Sequence, residues 1–257
     1  MTTLTTLPAF RPADSDAMPE CFLGNVRPEQ DVLVAIHGIS RNAAEVAARF
    51  AGHPAFARTT IIAPLFTPKQ FGKYQQLLTH KAGEVASDAA LIALLEALAA
   101  DHGIATERVR MFGFSGGAQM AHRFAMFHPA RVSHLCIASA GWYCLPRADL
   151  AYPYGIGNAD GKPEVAPDFL DIPTTVVVGN RDTRVNESVR QDPEINEHQG
   201  RNRLRRARCF VRAMNDYASQ HGRKPNAQLL TLPDVSHDFT SCVNEGGLID
   251  VAAQALL

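Results

Sequence analysis

Gly113-Phe114-Ser115-Gly116-Gly117 follows the apolar run Val109 to Phe112 and opens a helix-like segment. A serine set between small residues at a strand-to-helix corner is how a hydroxyl is presented as a nucleophile. Such a corner is sharp enough that the residues two before and two after the serine must be small. Gly113 and Gly117 meet that demand, having no Cβ to block the approach of strand and helix. The same stretch also fits an ordinary glycine-rich turn with Ser115 as a helix N-cap. The rest of the chain decides between the two readings.

Working outward, Val32 to Ile36 is a continuous apolar run, expected of a parallel strand covered on both faces. Further strands are expected over 60–63, ended by Pro64, and over 109–112, 132–139, 174–178 and 228–232. Helices are expected over 42–50, 84–101, 116–127, 201–219 and 247–256. In the second of these, Leu91, Leu94, Leu95 and Leu98 share a face and Gly103 sits where a C-terminal cap belongs. Helices between successive strands imply a mostly parallel sheet with helices on both faces, an α/β fold. Residues 1–30, rich in Thr, Pro and Asp, read as an N-terminal arm with one edge strand, and 31–257 as one domain. Residues 141–173 break the pattern with Pro146, Pro153, Pro163, Pro167 and Pro173 and read as a short irregular lid or pocket wall. A solvated excursion without a role is the alternative.

Composition narrows the function classes. A chain of 257 residues with 46% hydrophobic content suits one large domain with a sizeable core. The net charge of −1 shows no bias toward nucleic acid or an anionic membrane, and no apolar run is long enough to span a bilayer. Residues 1–20 lack the basic start and apolar block of a secretory signal. Cys21, Cys136, Cys144, Cys209 and Cys242 are scattered, odd in number and outside any metal-binding spacing, so reduced thiols in a cytoplasmic protein are the simplest reading. The arginines at 201, 203, 205, 206, 208 and 212 fall mostly away from the apolar stripe Leu204, Ala207, Val211, Met214 and Ala218. They read as a solvated helix face, with one arginine reaching a carboxylate of the substrate or the protein as the alternative.

A serine hydroxyl needs a base to take its proton, and the base needs a partner to orient it. After the strand at 174–178 comes Gly179-Asn180-Arg181-Asp182, and after the strand at 228–232 comes Pro233-Asp234-Val235-Ser236-His237. Both loops leave the C-terminal edge of a parallel sheet, where open α/β sheets build their sites. His37-Gly38-Ile39-Ser40 directly follows the strand at 32–36. It can aim the N–H of Ile39, or of Ser40 instead, at a developing oxyanion beside the N–H of Gly116, while His37 supports the loop through its ring nitrogens. Singly, each residue has a plainer reading: Asp182 as a turn residue, His237 as a surface histidine paired with a carboxylate. Arg181 and Arg184 flank Asp182 and can hold its loop by ion pairs. Trp142 and Tyr143 are candidate pocket walls for substrate binding, as are Phe66 and Tyr74, with burial in the core as the alternative.

With these residues in the order Ser115, Asp182, His237, the chain resembles the α/β-hydrolase superfamily. Gly113 to Gly117, the His37-Gly38 loop and the short lid resemble its poly(3-hydroxybutyrate) depolymerase-like and feruloyl-esterase-like branch, over roughly residues 30 to 257. The resemblance implies Ser115 as nucleophile, His237 as general base and then acid, Asp182 as its orienter, and an oxyanion hole from Ile39 and Gly116. It implies hydrolysis of carboxylic esters through an acyl-enzyme, with no metal and no organic cofactor. The chain departs from that branch in having no export signal, no clear antiparallel hairpin before Asp31 and no appended polymer-binding domain. Those departures favour a small-molecule ester as the partner over a polymer. Cleavage of amides or peptides by the same residues, and a non-catalytic binding scaffold, are the alternatives.

Overall fold

The computed structural model describes residues 7–257 except 29, 80, 82, 159–163 and 186. Residues 1–6 of the expected arm and 159–163 of the expected lid thus lie outside the described residues. The elements in chain order are β1 (Ala9–Arg11), β2 (Glu20–Gly24), β3 (Val32–Ile36), α1 (Ala43–Ala51), β4 (Thr60–Leu65), α2 (Ser87–His102), β5 (Val109–Phe114), α3 (Gly116–Phe127), β6 (Val132–Ala138), β7 (Thr174–Gly179), α4 (Pro193–Gln199), α5 (Arg203–Gln220), β8 (Ala227–Leu232), α6 (Phe239–Asn244) and α7 (Leu248–Leu256). The strands form one eight-stranded sheet in the order β1-β2-β4-β3-β5-β6-β7-β8.

Five of the seven pairings are the parallel ones that the alternation of strands and helices implies. β4, β3, β5, β6, β7 and β8 run parallel, and β2 joins β4 antiparallel. The seventh corrects the expected arm. β1 pairs antiparallel with β2, so the segment before Asp31 supplies the hairpin that sequence patterning did not reveal. Its strands are only three and five residues long, and they are held by addition to β4 rather than by their own periodicity. Pro64 does not end β4 either. The ladder to β3 stops at Val34–Ile62, so Pro64 lies where β4 pairs only with Cys21 of β2, and its missing N–H costs no bond toward β3. The short helices α4 and α6 also escaped patterning, each being seven residues or fewer.

The fully buried strand β3 shows why the sheet needs two helical layers. Val32, Val34 and Ile36 pack into a cluster with side chains of α2, α3 and α5, whereas Leu33 and Ala35 pack with α1, α6 and α7. The described residues of the 141–173 segment pack against the body of the protein as a wall. Leu145, Leu150 and Phe169 are buried, the N–H of Ile156 donates to the carbonyl of Arg147 at 3.0 Å, and the Tyr152 hydroxyl donates to the carbonyl of Gln76.

Register brings the site to one edge. Gly113 of β5 lies beside Ile36 of β3, Phe114 beside Ala138 of β6, Ala138 beside Val177 of β7, and Gly179 beside Leu232 of β8. The loops starting at His37, Ser115, Ser139, Asn180 and Pro233 therefore leave the same rim. Close packing at Gly117 locks that rim: a Cβ there would sit 2.2 Å from the carbonyl oxygen of Ile36, and one on Gly113 would sit 2.3 Å from that of Gly117. Backbone atoms cannot swing aside as a side chain can. Gly117→Ala is therefore expected to destabilise the protein by about 2–3 kcal/mol, read as a fall in the denaturant midpoint, whereas Gly222→Ala, with no atom in the way, is expected to show only the smaller strain of its φ of +66°.

Candidate active site

Ser115 stands between β5 and α3 with φ 55° and ψ −112°, a left-handed backbone that a residue with a Cβ rarely adopts. Its N–H is held by the carbonyl of Ala138 at 2.8 Å. The side chain makes no capping bond to α3, so the N-cap reading does not describe it. Instead Ser115 Oγ lies 3.1 Å from Nε2 of His237. Nδ1 of His237 lies 3.2 Å from Oδ2 of Asp182. Both contacts are satisfied when the imidazole is neutral with its proton on Nδ1: it then donates to Asp182 and leaves Nε2 to accept from the serine.

The loops that carry Asp182 and His237 are tied to each other. The N–H groups of Asn180 and Arg181 donate to the carbonyls of Leu232 and Val235 at 2.9 and 3.0 Å, and Arg181 pairs with Asp234 at 2.7 Å. The ring of His237 stacks on Phe114 with centroids 5.4 Å apart. Arg184, the other flanking arginine, is exposed. The second oxygen of Asp182 faces a residue that patterning assigned to a solvated face. Arg203 Nη1 lies 3.2 Å from Oδ1, with the two side chains 4% and 3% exposed, and Arg203 Nη2 donates to the carbonyl of Ser188 at 2.7 Å. The one available signal for this was position: Arg203 begins α5, the second helix after the Asp182 loop. Arg206 is fully buried as well, and burial followed by the nearby Arg203 pushes its guanidinium down to about 10.

The loop after β3 is held from beneath. His37 is buried, its Nδ1 lies 2.7 Å from the carbonyl oxygen of Gly38, and its Nε2 accepts from the N–H of Phe66 at 3.0 Å. The Tyr74 hydroxyl donates to the carbonyl of His37 at 3.0 Å, and Arg41 Nη1 donates to that of Ile39 at 2.7 Å. The N–H groups of Ile39 and Gly116 have no acceptor among the described residues. The two residues touch, since a Cβ on Gly116 would meet Ile39 Cγ2 at 3.0 Å.

A cavity of about 530 Å³ opens over these groups, lined by Ser115, His237, Ile39, Gln119, Trp142, Arg190 and Arg203 among others. Trp142 is thus placed in the wall, but Tyr143 is not. Tyr143 is buried against Phe210, centroids 4.4 Å apart, with its N–H donating to Gln199. The two adjacent rings thus part, one lining the cavity and the next packed in the core. Phe66 and Tyr74 are likewise buried and stack on each other at 5.4 Å beneath the His37 loop, outside the cavity lining. Among the described residues no group of side chains could hold a metal ion, and no helix is long and apolar enough to cross a membrane. All five cysteines are free.

No protein-family model and no curated protein matches the chain. Solved structures do. Poly(aspartic acid) hydrolase-1 from Sphingomonas sp. KT-1 superposes with a TM-score of 0.81 at 22% identity, covering 97% of this chain and 98% of that one. The LpqC poly(3-hydroxybutyrate) depolymerase from Bordetella parapertussis gives 0.79 at 26% identity, covering 96% and 88%. An S-formylglutathione hydrolase from Agrobacterium tumefaciens gives 0.61 at 11% identity, covering 97% and 95%. The chain has the α/β-hydrolase fold, and its structural neighbours are esterases and depolymerases of that fold, in line with the resemblance read from its motifs.

Two outcomes follow from the buried charges. Removing Arg203 leaves buried Asp182 with the His237 ring as its one remaining side-chain partner among the described residues, so Arg203→Met is expected to cost about 3–5 kcal/mol of stability by denaturant titration. The second concerns His37, which burial pushes from 6.5 down to about 4. Between those pH values the unfolded chain binds the proton and the folded one does not, so stability is full above about pH 6.5 and declines as pH falls toward 4. The decline attributable to this ring is about 3 kcal/mol, and denaturant midpoints across that range are expected to fall less steeply in His37→Gln.

Proposed function

We propose that the protein is a serine hydrolase that cleaves carboxylic esters of small soluble substrates through an acyl-enzyme. The observation that carries this reading is the unbroken chain of contacts from Ser115 Oγ through the His237 ring to Asp182, starting at a serine held in a strained corner. Nε2 of His237 takes the hydroxyl proton as Ser115 Oγ bonds to the substrate carbonyl carbon. The electron pair displaced onto the carbonyl oxygen is met by the N–H groups of Ile39 and Gly116, which have no acceptor to give up among the described residues. When the tetrahedral adduct collapses, the imidazolium returns its proton to the departing alkoxide and an acyl-Ser115 ester remains. Water then repeats the sequence, its proton passing to His237 and then to Ser115 as the acid leaves. Asp182 accepts from Nδ1 throughout and steadies the imidazolium. No metal or organic cofactor enters these steps.

The cavity of about 530 Å³ is within the range that encloses a small organic ligand. The free cysteines fit a protein working in the cytoplasm. A second reading, amide cleavage by the same groups, draws on the neighbour named for hydrolysing poly(aspartic acid), an amide polymer. Matched nitrophenyl esters and nitroanilides divide the two.

Ser115 is expected to react with a fluorophosphonate probe, and Ser115→Ala to abolish both the labelling and at least about 10³-fold of the ester turnover. A folded wild-type chain that does not label would instead favour a binding scaffold.

A further inference from the structure

The charge behind one wall of the cavity is not balanced. Arg123 is fully buried, yet its guanidinium meets only carbonyls: Gln75 at 3.2 Å, Gln119 at 2.9 Å and Pro153 at 3.2 Å. Its Cζ lies 4.3 Å from the centroid of the Trp142 ring. Arg206, equally buried, donates to the carbonyls of Gly200, Gly141 and Arg190 at 2.7, 2.6 and 2.8 Å and to Asn196 Oδ1 at 3.0 Å. Neither has a carboxylate partner among the described residues. Buried cations served only by dipoles keep most of their field, because little water is present to screen it. Both stand directly behind Gly141 and Trp142, two residues of the cavity lining.

Arg190 stands on the solvent side of that wall, about half-exposed, with its guanidinium 5.6 Å from the same Trp142 ring. It is held in place twice. Its carbonyl accepts from Arg206, and its Nη2 donates to Asp192 at 2.9 Å. Asp192 is itself fixed by the Tyr154 hydroxyl at 2.9 Å and by capping α4 at the N–H of Glu194. Nε and Nη1 of Arg190 have no acceptor among the described residues. On this side four guanidiniums (Arg123, Arg190, Arg203, Arg206) thus face two carboxylates, Asp182 and Asp192, both already engaged. The acidic residues of the lining, Glu45 and Asp238, belong to the α1 and α6 side. There Glu45 is bonded to Asn42 and Thr240, and Asp238 caps α6. The fully buried arginines without a carboxylate partner, Arg123 and Arg206, both lie on the Trp142 side.

We propose that the substrate of this site carries a carboxylate besides its scissile ester, and that Arg190, positioned by Trp142 and reinforced by Arg123 and Arg206, receives it. A planar guanidinium with two open donors suits a carboxylate, and the same cavity holds Ser115. This deepens the serine-hydrolase reading and rests on it.

The test uses matched pairs of substrates at low ionic strength. Mono-4-nitrophenyl adipate against 4-nitrophenyl hexanoate places the charge on the acyl side, and 4-acetoxybenzoate against its methyl ester places it on the leaving group. The wild type is expected to favour the anionic member of at least one pair by about tenfold in kcat/KM, with the preference shrinking as salt is added. Arg190→Gln is expected to bring that ratio to about one, and Arg190→Lys to restore part of it. Equal treatment of both pairs by the wild type, or a preference that survives Arg190→Gln, overturns the proposal. Fluorophosphonate labelling of both proteins separates the two levels: a wild type that fails to label defeats the hydrolase reading and this proposal together, whereas one that labels but ignores the carboxylate defeats this proposal alone.

Discussion

The corner at Ser115 organises the molecule. A residue with a Cβ is held at φ 55° there, and that conformation persists only because its surroundings over-determine it. The Ala138 carbonyl fixes the Ser115 N–H, while the Gly113–Gly117 contact and the seat of Gly117 on Ile36 press α3 against the ends of β3 and β5. Two packing contacts and one hydrogen bond thereby join three strands and a helix. The loop after β3, the hydroxyl after β5 and Trp142 after β6 take their relative positions from sheet register, which is far stiffer than any loop.

Charge is the second organising constraint. α5 turns two arginines inward in its first turn and leaves Arg205, Arg208 and Arg212 in solvent. Arg203 closes the far side of Asp182, so that the carboxylate oriented toward His237 is not a lone buried anion. Arg206 fastens Gly141, Gly200 and Arg190 together and so ties the segments on either side of β7 to α5. The helix that supports Asp182 also supports the cavity wall at Gly141.

Periodicity carried most of the architecture. Continuous apolar runs marked the parallel strands because both faces of those strands are covered, and helical spacing marked α2, α5 and α7 because each buries one face, whereas α3, buried on every side, was marked by the glycine corner that opens it. The second strand of the N-terminal arm, α4 and α6 were hidden for a common reason: each is too short to show a period and exists through contacts made elsewhere, as β2 does on β4. The misreading at Pro64 has the same origin, since a proline is compatible with a strand only where one ladder has already ended, and that is a fact about the neighbour β3.

Residue type and strand-end position were enough to point to Ser115, Asp182 and His237, which the structure brings into contact, and to the Ile39 loop beside them, because a sharp corner demands glycines and a parallel sheet delivers its loops to one edge. Pattern alone could not tell Trp142 from Tyr143, or separate Arg203 and Arg206 from the solvated arginines around them. Those distinctions turn on which way a side chain points and on what lies within hydrogen-bond reach, and the partners come from segments far apart in the chain. The order of chemical groups is local information; the balance of buried charge around them is not, and it exists only once the chain has closed on itself.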